Sequence, residues 1–272
     1  MMIQVIDRPI LLALTNASTV GIYQANYRLG IFMMLIVSMF DFAWRPFFLT
    51  HANDADAKKL FARVLTYFVL LMTAVFLTLS LFLEDVVKLP IFWGYSILPP
   101  EYWHGLAIVP VVLLGYMFLG ISNNFVAGIY IEKKTQHLPA NTLIGAFINV
   151  AANFLLIPFI GIMGAALATL LSYAAMAIAL YVAVQRFYPI RYEFDRIAKI
   201  VVAAVVVFCL YYFVRLDTFE VVWKMALLVL FAALMYWMRF FEQSELRGIT
   251  SLFRTRSEVE TADASDGFSE PK

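Results

Sequence analysis

The chain has 272 residues, of which 63% are hydrophobic and 14% are charged, and its formal net charge is +1. Soluble domains are nearer half apolar and a quarter charged, so this composition indicates an integral membrane protein. The near-neutral charge gives no reason to expect a nucleic-acid partner. The single cysteine, Cys209, excludes a disulfide or a cysteine-based metal site within one chain.

Long uncharged runs predict about eight transmembrane helices. Their approximate bounds are 1–14, 21–49, 60–83, 106–130, 138–159, 163–185, 197–214 and 221–241. The first is short, which suggests a segment cut at its start. Residues 242–272 are mostly polar and predict a disordered tail. The predicted fold is therefore an all-α, polytopic membrane protein with one transmembrane lobe over residues 1–241.

Basic residues predict how the lobe is oriented. They concentrate at or after the ends of the second, fourth, sixth and eighth segments, with Lys133 and Lys134 following the fourth. By the positive-inside rule, these ends and both chain termini are expected to be cytoplasmic. The loop 84–105 is then on the opposite side. Its aromatic residues are typical of a headgroup-level belt, and a sugar-binding role is the alternative interpretation.

Residues 131–173 predict two helices joined by a tight turn, which Pro158 and Gly161 mark. The first of these helices carries a polar face at four-residue spacing, made of Asn141, Gly145, Asn149 and Asn153. Amides are costly against lipid, so this face is expected to pack on protein or to line a wet cavity. The return helix carries small residues suited to close packing: Gly161, Ala165, Ala168 and Ser172.

Four ionisable residues fall inside the first two predicted spans: Asp7, Arg8, Arg28 and Asp41. A charge near mid-bilayer costs at least ~2.5 kcal/mol on insertion scales, so such residues pair, face water or carry function. Asp41 and Arg45 are four residues apart and can pair along one helix. Arg28 is either neutralised by Asp7 or Asp41, or it lines a cationic cavity whose guanidinium forks match phosphate oxygens.

The candidate binding residues are the cationic or amide side chains expected to line such a cavity: Arg8, Arg28, Gln24, Asn123, Asn124, Asn149 and Asn153. Charge pairing is expected among Asp7, Asp41 and Arg45. The sequence has no Gly-rich phosphate loop, no evident nucleophile–base pair and no metal-ligand spacing of its histidines. It therefore predicts no enzyme activity, no cofactor and no metal site.

Two stretches resemble a known family. They are IDRPILLALTNASTVGIYQANYRLG, residues 6–30, and LIPFIGIMGAALATLLSY, residues 156–173, the second preceded by a basic pair and the asparagine face. Both look similar to bacterial polysaccharide-transport proteins, which are lipid-linked oligosaccharide flippases distantly related to multidrug and toxin extrusion transporters. The resemblance covers roughly residues 1–240. By this resemblance the chain corresponds to the second half of a two-lobed transporter.

The resemblance implies that the chain flips polyprenyl-pyrophosphate-linked sugar units across the bacterial inner membrane by alternating access. Its partners would be the lipid-linked oligosaccharide, the missing first-half spans from the same gene or another chain, and other polysaccharide assembly proteins. One alternative is a drug or ion antiporter, which predicts that carboxylates rather than arginines dominate the deep cavity. The sequence favours the flippase because Arg8 and Arg28 lie at least as deep in their spans as any carboxylate. A truncated, non-transporting half-molecule is the third interpretation.

Overall fold

The computed structural model describes residues 3–92, 95–214 and 219–241. Within these ranges the chain forms nine α-helices, a 3-10 helix and a two-stranded β-hairpin. Seven helical segments there are long and apolar enough to span a bilayer, against about eight predicted from the sequence. The chain is an all-α, multi-pass membrane protein, as predicted. The tail predicted over residues 242–272 lies outside the described residues.

Large apolar side chains cover the outside of the lobe. Phe42, Phe159 and Trp237 are 85%, 82% and 79% exposed. A surface carrying so many exposed aromatic and aliphatic groups is far more apolar than a water-facing surface normally is. Lipid tails are the surroundings that this surface fits.

The N-terminal part differs from the predicted pattern. Helix α1, Ile3–Leu14, has 12 residues and is shorter than a full bilayer span. Helices α2, Ala17–Leu29, and α3, Ile31–Thr50, replace the single span predicted over 21–49. The break falls at Gly30, whose ψ of −7° is well away from the α-helical value of about −42°. Polar residues precede the break, namely Gln24, Asn26 and Arg28, and the apolar run begins only at Ile31, so the single predicted span merged a polar helix with an apolar one.

Helix α4, Ala57–Lys88, leads into the loop that was expected to carry the aromatic belt. Strands β1, Pro90–Phe92, and β2, Tyr95–Ser96, pair antiparallel, and a 3-10 helix, Pro100–Ile108, then continues into α5, Val109–Ile131. The indole N–H of Trp103 donates to the carbonyl of Leu98 at 2.8 Å. The Lys88 ammonium lies 5.1 Å from the centre of the Trp103 ring. The described part of the loop therefore packs back on the end of α4.

The predicted hairpin is present as α6, His137–Ile160, and α7, Ile162–Gln185. Gly161 turns the chain with φ +55° and ψ −131°, a backbone conformation that residues with a side chain rarely adopt. At Gly164 an added Cβ would lie 2.6 Å from the backbone carbonyl carbon of Leu156. The two helices therefore touch at backbone level, and the small residues predicted for this face are what permits it.

Helices α8, Phe194–Phe213, and α9, Glu220–Trp237, pack against each other and against α4. The other helices group around the α6–α7 hairpin, which packs on α1 and α5. Helix α4 also contacts α5 and so joins the two groups. The lobe thus has a hairpin-centred group and a more peripheral α8–α9 pair, and each group contains one fully buried charged residue.

Candidate functional site

Asp7 is the charged residue at the centre of the hairpin-centred group. It lies on α1, and its side chain is 0% exposed. Its neighbour Arg8 is only half-buried, because adjacent helical residues point about 100° apart. The fold therefore turns the carboxylate of this pair into the interior of the lobe.

Three neutral side chains from three other helices donate hydrogen bonds to the Asp7 carboxylate. Asn153 Nδ2 on α6 donates to Oδ1 at 2.9 Å. Thr169 Oγ1 on α7 donates to Oδ2 at 2.6 Å, and Tyr23 Oη on α2 donates to the same oxygen at 3.1 Å. Four helices consequently meet at one carboxylate. We call Asp7, Tyr23, Asn149, Asn153 and Thr169 the Asp7 cluster.

The asparagine face of α6 supplies the amides of this cluster. Asn153 Nδ2 also contacts the backbone carbonyl and the Oδ1 of Asn149, at 2.9 and 3.1 Å. Asn149 Nδ2 and Asn153 Oδ1 are buried and have no hydrogen-bond partner among the described residues. Buried polar groups nearly always bond to something, so one donor and one acceptor here are able to bind a ligand or water.

A row of tyrosines extends from the Asp7 cluster. The ring centres of Tyr23 and Tyr27 are 5.4 Å apart, those of Tyr27 and Tyr116 are 6.1 Å apart, and those of Tyr116 and Tyr173 are 6.3 Å apart. Successive rings come from α2, α5 and α7. The interior next to Asp7 is therefore lined by aromatic rings that carry hydroxyl groups.

The predicted cationic residues do not join the Asp7 cluster. Arg28 is exposed in the last turn of α2, Gln24 one turn earlier is half-buried, and Arg8 is half-buried on α1. Within the described residues Asp7 forms no ion pair, so its partners are neutral and not the arginine that one interpretation required. Of the seven candidate binding residues, two belong to the Asp7 cluster, Asn149 and Asn153.

The remaining candidates lie elsewhere. Asp41 and Arg45 form the expected pair on α3, with Arg45 Nη2 3.0 Å from Asp41 Oδ2. Asn124 on α5 is buried and donates to the carbonyl of Gly120 at 3.0 Å, while Asn123 is half-buried. Asn124 Oδ1 has no partner within the described part of the chain. These residues are separate from the Asp7 cluster.

Two members of the Asp7 cluster were not among the predicted residues. Thr169 lies beside the predicted small-residue face, and its hydroxyl also contacts the Ala165 carbonyl at 3.3 Å, a bond that helical Thr residues often make. Tyr23 lies one turn before Tyr27. A hydroxyl group inside a predicted transmembrane span was the available signal for both residues. It became informative only once Asp7 was known to lie opposite.

The chemistry of the Asp7 cluster is that of a carboxylate in an apolar interior without a balancing cation among the described residues. Ionisable groups inside membrane segments mark ion and proton pathways because burying them is costly. In the described ranges no three His, Cys, Asp or Glu side chains come together as a metal-binding group. The oxygens here come instead from one carboxylate, two amides and two hydroxyls.

The fold and this site define a multi-pass helical membrane protein in which four helices meet at a buried carboxylate that has no cationic partner among the described residues. The sequence matches no protein-family model and no curated protein.

Proposed function

We propose that the chain is one lobe of a cation-coupled transporter that flips lipid-linked sugar units across the bacterial inner membrane. The resemblance of residues 6–30 and 156–173 to polysaccharide-transport proteins supports the substrate class. The all-α, multi-pass fold supports membrane transport in general. In this proposal both chain ends are cytoplasmic, and first-half spans complete the second wall of the cavity.

One observation carries the coupling part of this proposal, namely the fully buried Asp7 carboxylate and its three neutral donors. A cation that binds there neutralises a buried charge, and one that leaves restores it. Each event changes the attraction between α1 and the helices that carry Tyr23, Asn153 and Thr169. Ion binding at Asp7 is therefore able to bias how these four helices pack.

The proposed binding of a lipid-linked pyrophosphate depends on two arginine side chains, Arg28 and Arg8. Arg28 is exposed on the lobe, and within the described residues no ion pair holds its guanidinium. A free guanidinium offers a planar fork to a pyrophosphate. Arg8 and Gln24 are half-buried and add a second cation and an amide for the same ligand, while sugar hydroxyls would bond to Asn123.

A second candidate function is drug extrusion coupled to a cation. The sequence favoured the flippase because Arg8 and Arg28 seemed at least as deep as any carboxylate. Asp7 is completely buried inside the lobe while Arg28 is exposed, and this difference in burial supports the second candidate. A deep carboxylate is what the extrusion class predicts. The two candidates therefore share the coupling site and differ in the cargo.

The test expresses the full chain with a complete first half in cells that lack their own flippase. Surface polysaccharide and efflux of a fluorescent cationic dye are both measured at matched protein abundance. We expect the chain to restore polysaccharide, Asp7→Asn to remove the rescue, and Asp56→Asn to keep it. Asp56 is a suitable control because its side chain is 76% exposed at the start of α4.

Three outcomes separate the parts of the proposal. Full rescue by Asp7→Asn contradicts the coupling role. Dye efflux without polysaccharide favours the extrusion transporter. Rescue that survives Arg28→Gln and Arg28→Lys contradicts phosphate binding at Arg28. Transport in vesicles with an imposed pH gradient or an imposed Na⁺ gradient then identifies the coupling cation.

A further inference from the structure

A cavity of about 560 Å³ lies between the start of α6 and the end of α7, far along both helices from the Gly161 turn. Three basic side chains line it, Lys134, His137 and Arg186, and none of its lining residues is acidic. Its remaining wall is apolar and includes Ala179, Val182 and Phe187. The cavity therefore combines a basic mouth with a hydrocarbon-like wall.

Phe187 positions two of the three basic groups. The Lys134 ammonium lies 4.5 Å from the centre of the Phe187 ring. The His137 ring stacks on the same ring, with centres 5.6 Å apart and planes 24° apart. Contacts of this kind reduce the conformational freedom of Lys134 and His137, so that less entropy is lost when they bind an anion.

The third basic group is available to an external ligand. Arg186 is exposed at the end of α7, and neither Arg186 nor Lys134 forms an ion pair within the described residues. Burial, and to a smaller extent the charge of the exposed Glu132, raises the pKa of Tyr188 in the loop after α7. Glu132 does not line the cavity, so the charged groups at its mouth are Lys134 and Arg186.

The apolar wall faces the surroundings of the lobe and not its core. Val182 is 45% exposed, and it lies one helical turn from Arg186. A lipid tail placed along α7 at this point would bring its headgroup phosphate beside Lys134 and Arg186. Basic pockets between transmembrane helices are suited to anionic headgroups for this reason.

We propose that this cavity binds an anionic membrane phospholipid, with its phosphodiester held by Lys134, His137 and Arg186 and its acyl chain against Ala179 and Val182. The basic bias places this end of the hairpin in the cytoplasmic leaflet. The proposal does not depend on the Asp7 cluster or on the transported cargo. It assigns a lipid-binding site to the membrane-facing side of the lobe.

The test uses the full chain purified in a neutral detergent and incubated with mixtures of phosphatidylglycerol and phosphatidylcholine. Native mass spectrometry counts the lipids that each protein molecule retains. We expect preferential retention of phosphatidylglycerol. The double variant Lys134→Gln/Arg186→Gln should weaken this retention about thirtyfold, since two basic groups that each contribute on the order of 1 kcal/mol are removed together.

Matched controls distinguish a site from general surface charge. The double variant Lys133→Gln/Arg191→Gln removes the same charge from exposed positions that do not line the cavity. It should change phosphatidylglycerol retention less than twofold on the same scale. Val182→Glu places a carboxylate in the apolar wall and should reduce retention while all basic groups remain. Melting curves in lipid-free detergent show that each variant is folded.

The possible outcomes decide the proposal. Equal loss in both double variants means that only net charge matters, and this overturns the site. Equal retention of phosphatidylcholine and phosphatidylglycerol by the native chain also overturns it. Displacement of the lipid by inorganic pyrophosphate at equal concentration assigns the basic mouth to a free phosphate ligand, and the phospholipid is then the wrong occupant.

Discussion

Asp7 and Lys224 are both buried charged residues in this lobe, at 0% and 1% exposure, but their surroundings are opposite in kind. Lys224 Nζ on α9 lies 2.6 Å from Asp85 Oδ2 on α4 and 2.6 Å from Glu220 Oε1 one turn away. The Asp7 carboxylate is held by neutral donors alone. Lys224 is therefore compensated by two carboxylates, whereas Asp7 has no oppositely charged partner among the described residues.

The difference teaches how to separate a structural charge from a functional one. The carboxylates beside Lys224 are partly exposed, Asp85 at 33% and Glu220 at 55%, so this cluster reaches the edge of the lobe and ties α9 to α4. A compensated pair of this kind has little capacity to bind a further ion. Asp7 has no cationic partner among the described residues, and a buried carboxyl group left without one is what the proposed ion coupling requires.

Replacing Lys224 with methionine should give the largest loss of stability. The change leaves Asp85 and Glu220 close together without their common cation, and breaking a buried pair costs about 3 kcal/mol. We expect a clearly lower melting temperature in detergent and a matching fall in abundance. Transport per molecule should be unchanged. A variant as stable as the native chain contradicts the structural role of Lys224.

Replacing Gly164 with leucine should give the second-largest loss of stability. This loss should be confined to the helices that group around the α6–α7 hairpin and Asp7. Its side chain cannot fit beside the Leu156 backbone, and overpacking of this kind costs about 1–3 kcal/mol. Separating α6 from α7 also moves Asn153 away from Thr169. Cysteine cross-linking between α4 and α9 should remain normal in this variant. Loss of that cross-link as well means that the two groups do not unfold independently.

Replacing Thr169 with valine should have a smaller effect on stability than on transport. The change keeps the side-chain shape and removes the shortest hydrogen bond to Asp7, which is worth about 1.5 kcal/mol for a charged acceptor. The concentration of coupling cation that gives half-maximal transport should shift, whereas Thr78→Val should not shift it. Thr78 is an exposed residue of α4, and within the described part of the chain its hydroxyl donates to the Ala74 carbonyl alone. An unchanged cation dependence in Thr169→Val removes Thr169 from the site.

Replacing Glu220 with glutamine should give the smallest effect. Its side chain is more than half exposed, Asp85 continues to compensate Lys224, and exposed pairs contribute about 0.5 kcal/mol. The melting temperature should fall only slightly. A fall as large as that of Lys224→Met means that Glu220, and not Asp85, is the main partner of Lys224.

The sequence predicted the hairpin best. Uncharged runs separated by Gly161 define α6 and α7 closely, because the turn chemistry and the apolar length are both local signals. The shared face of Asn149 and Asn153 was also predictable, since four-residue spacing fixes it. Burial of that face is confirmed by the structure.

The partner of that face was not predictable. Asp7 is separated from Asn153 by 146 residues, and no local pattern says which helix will lie opposite. Charge alone suggested an arginine as the partner of Asp7, and the structure gives it Tyr23, Asn153 and Thr169. The break at Gly30 was missed for a different reason. A single glycine, with no proline or run of charges beside it, did not divide the predicted span 21–49.

The backbone contact at Gly164 has a mechanical consequence. Helices that touch at this level cannot slide past each other without separating, so α6 and α7 move as one rigid body. Asn153 and Thr169 belong to that body, whereas Asp7 belongs to α1 and is joined to it through side-chain bonds. The Asp7 carboxylate thus bridges α1 and the α6–α7 pair through hydrogen bonds from Asn153 and Thr169. Under the proposed coupling, gain or loss of a cation at Asp7 would act on the whole helix pair and not on one side chain.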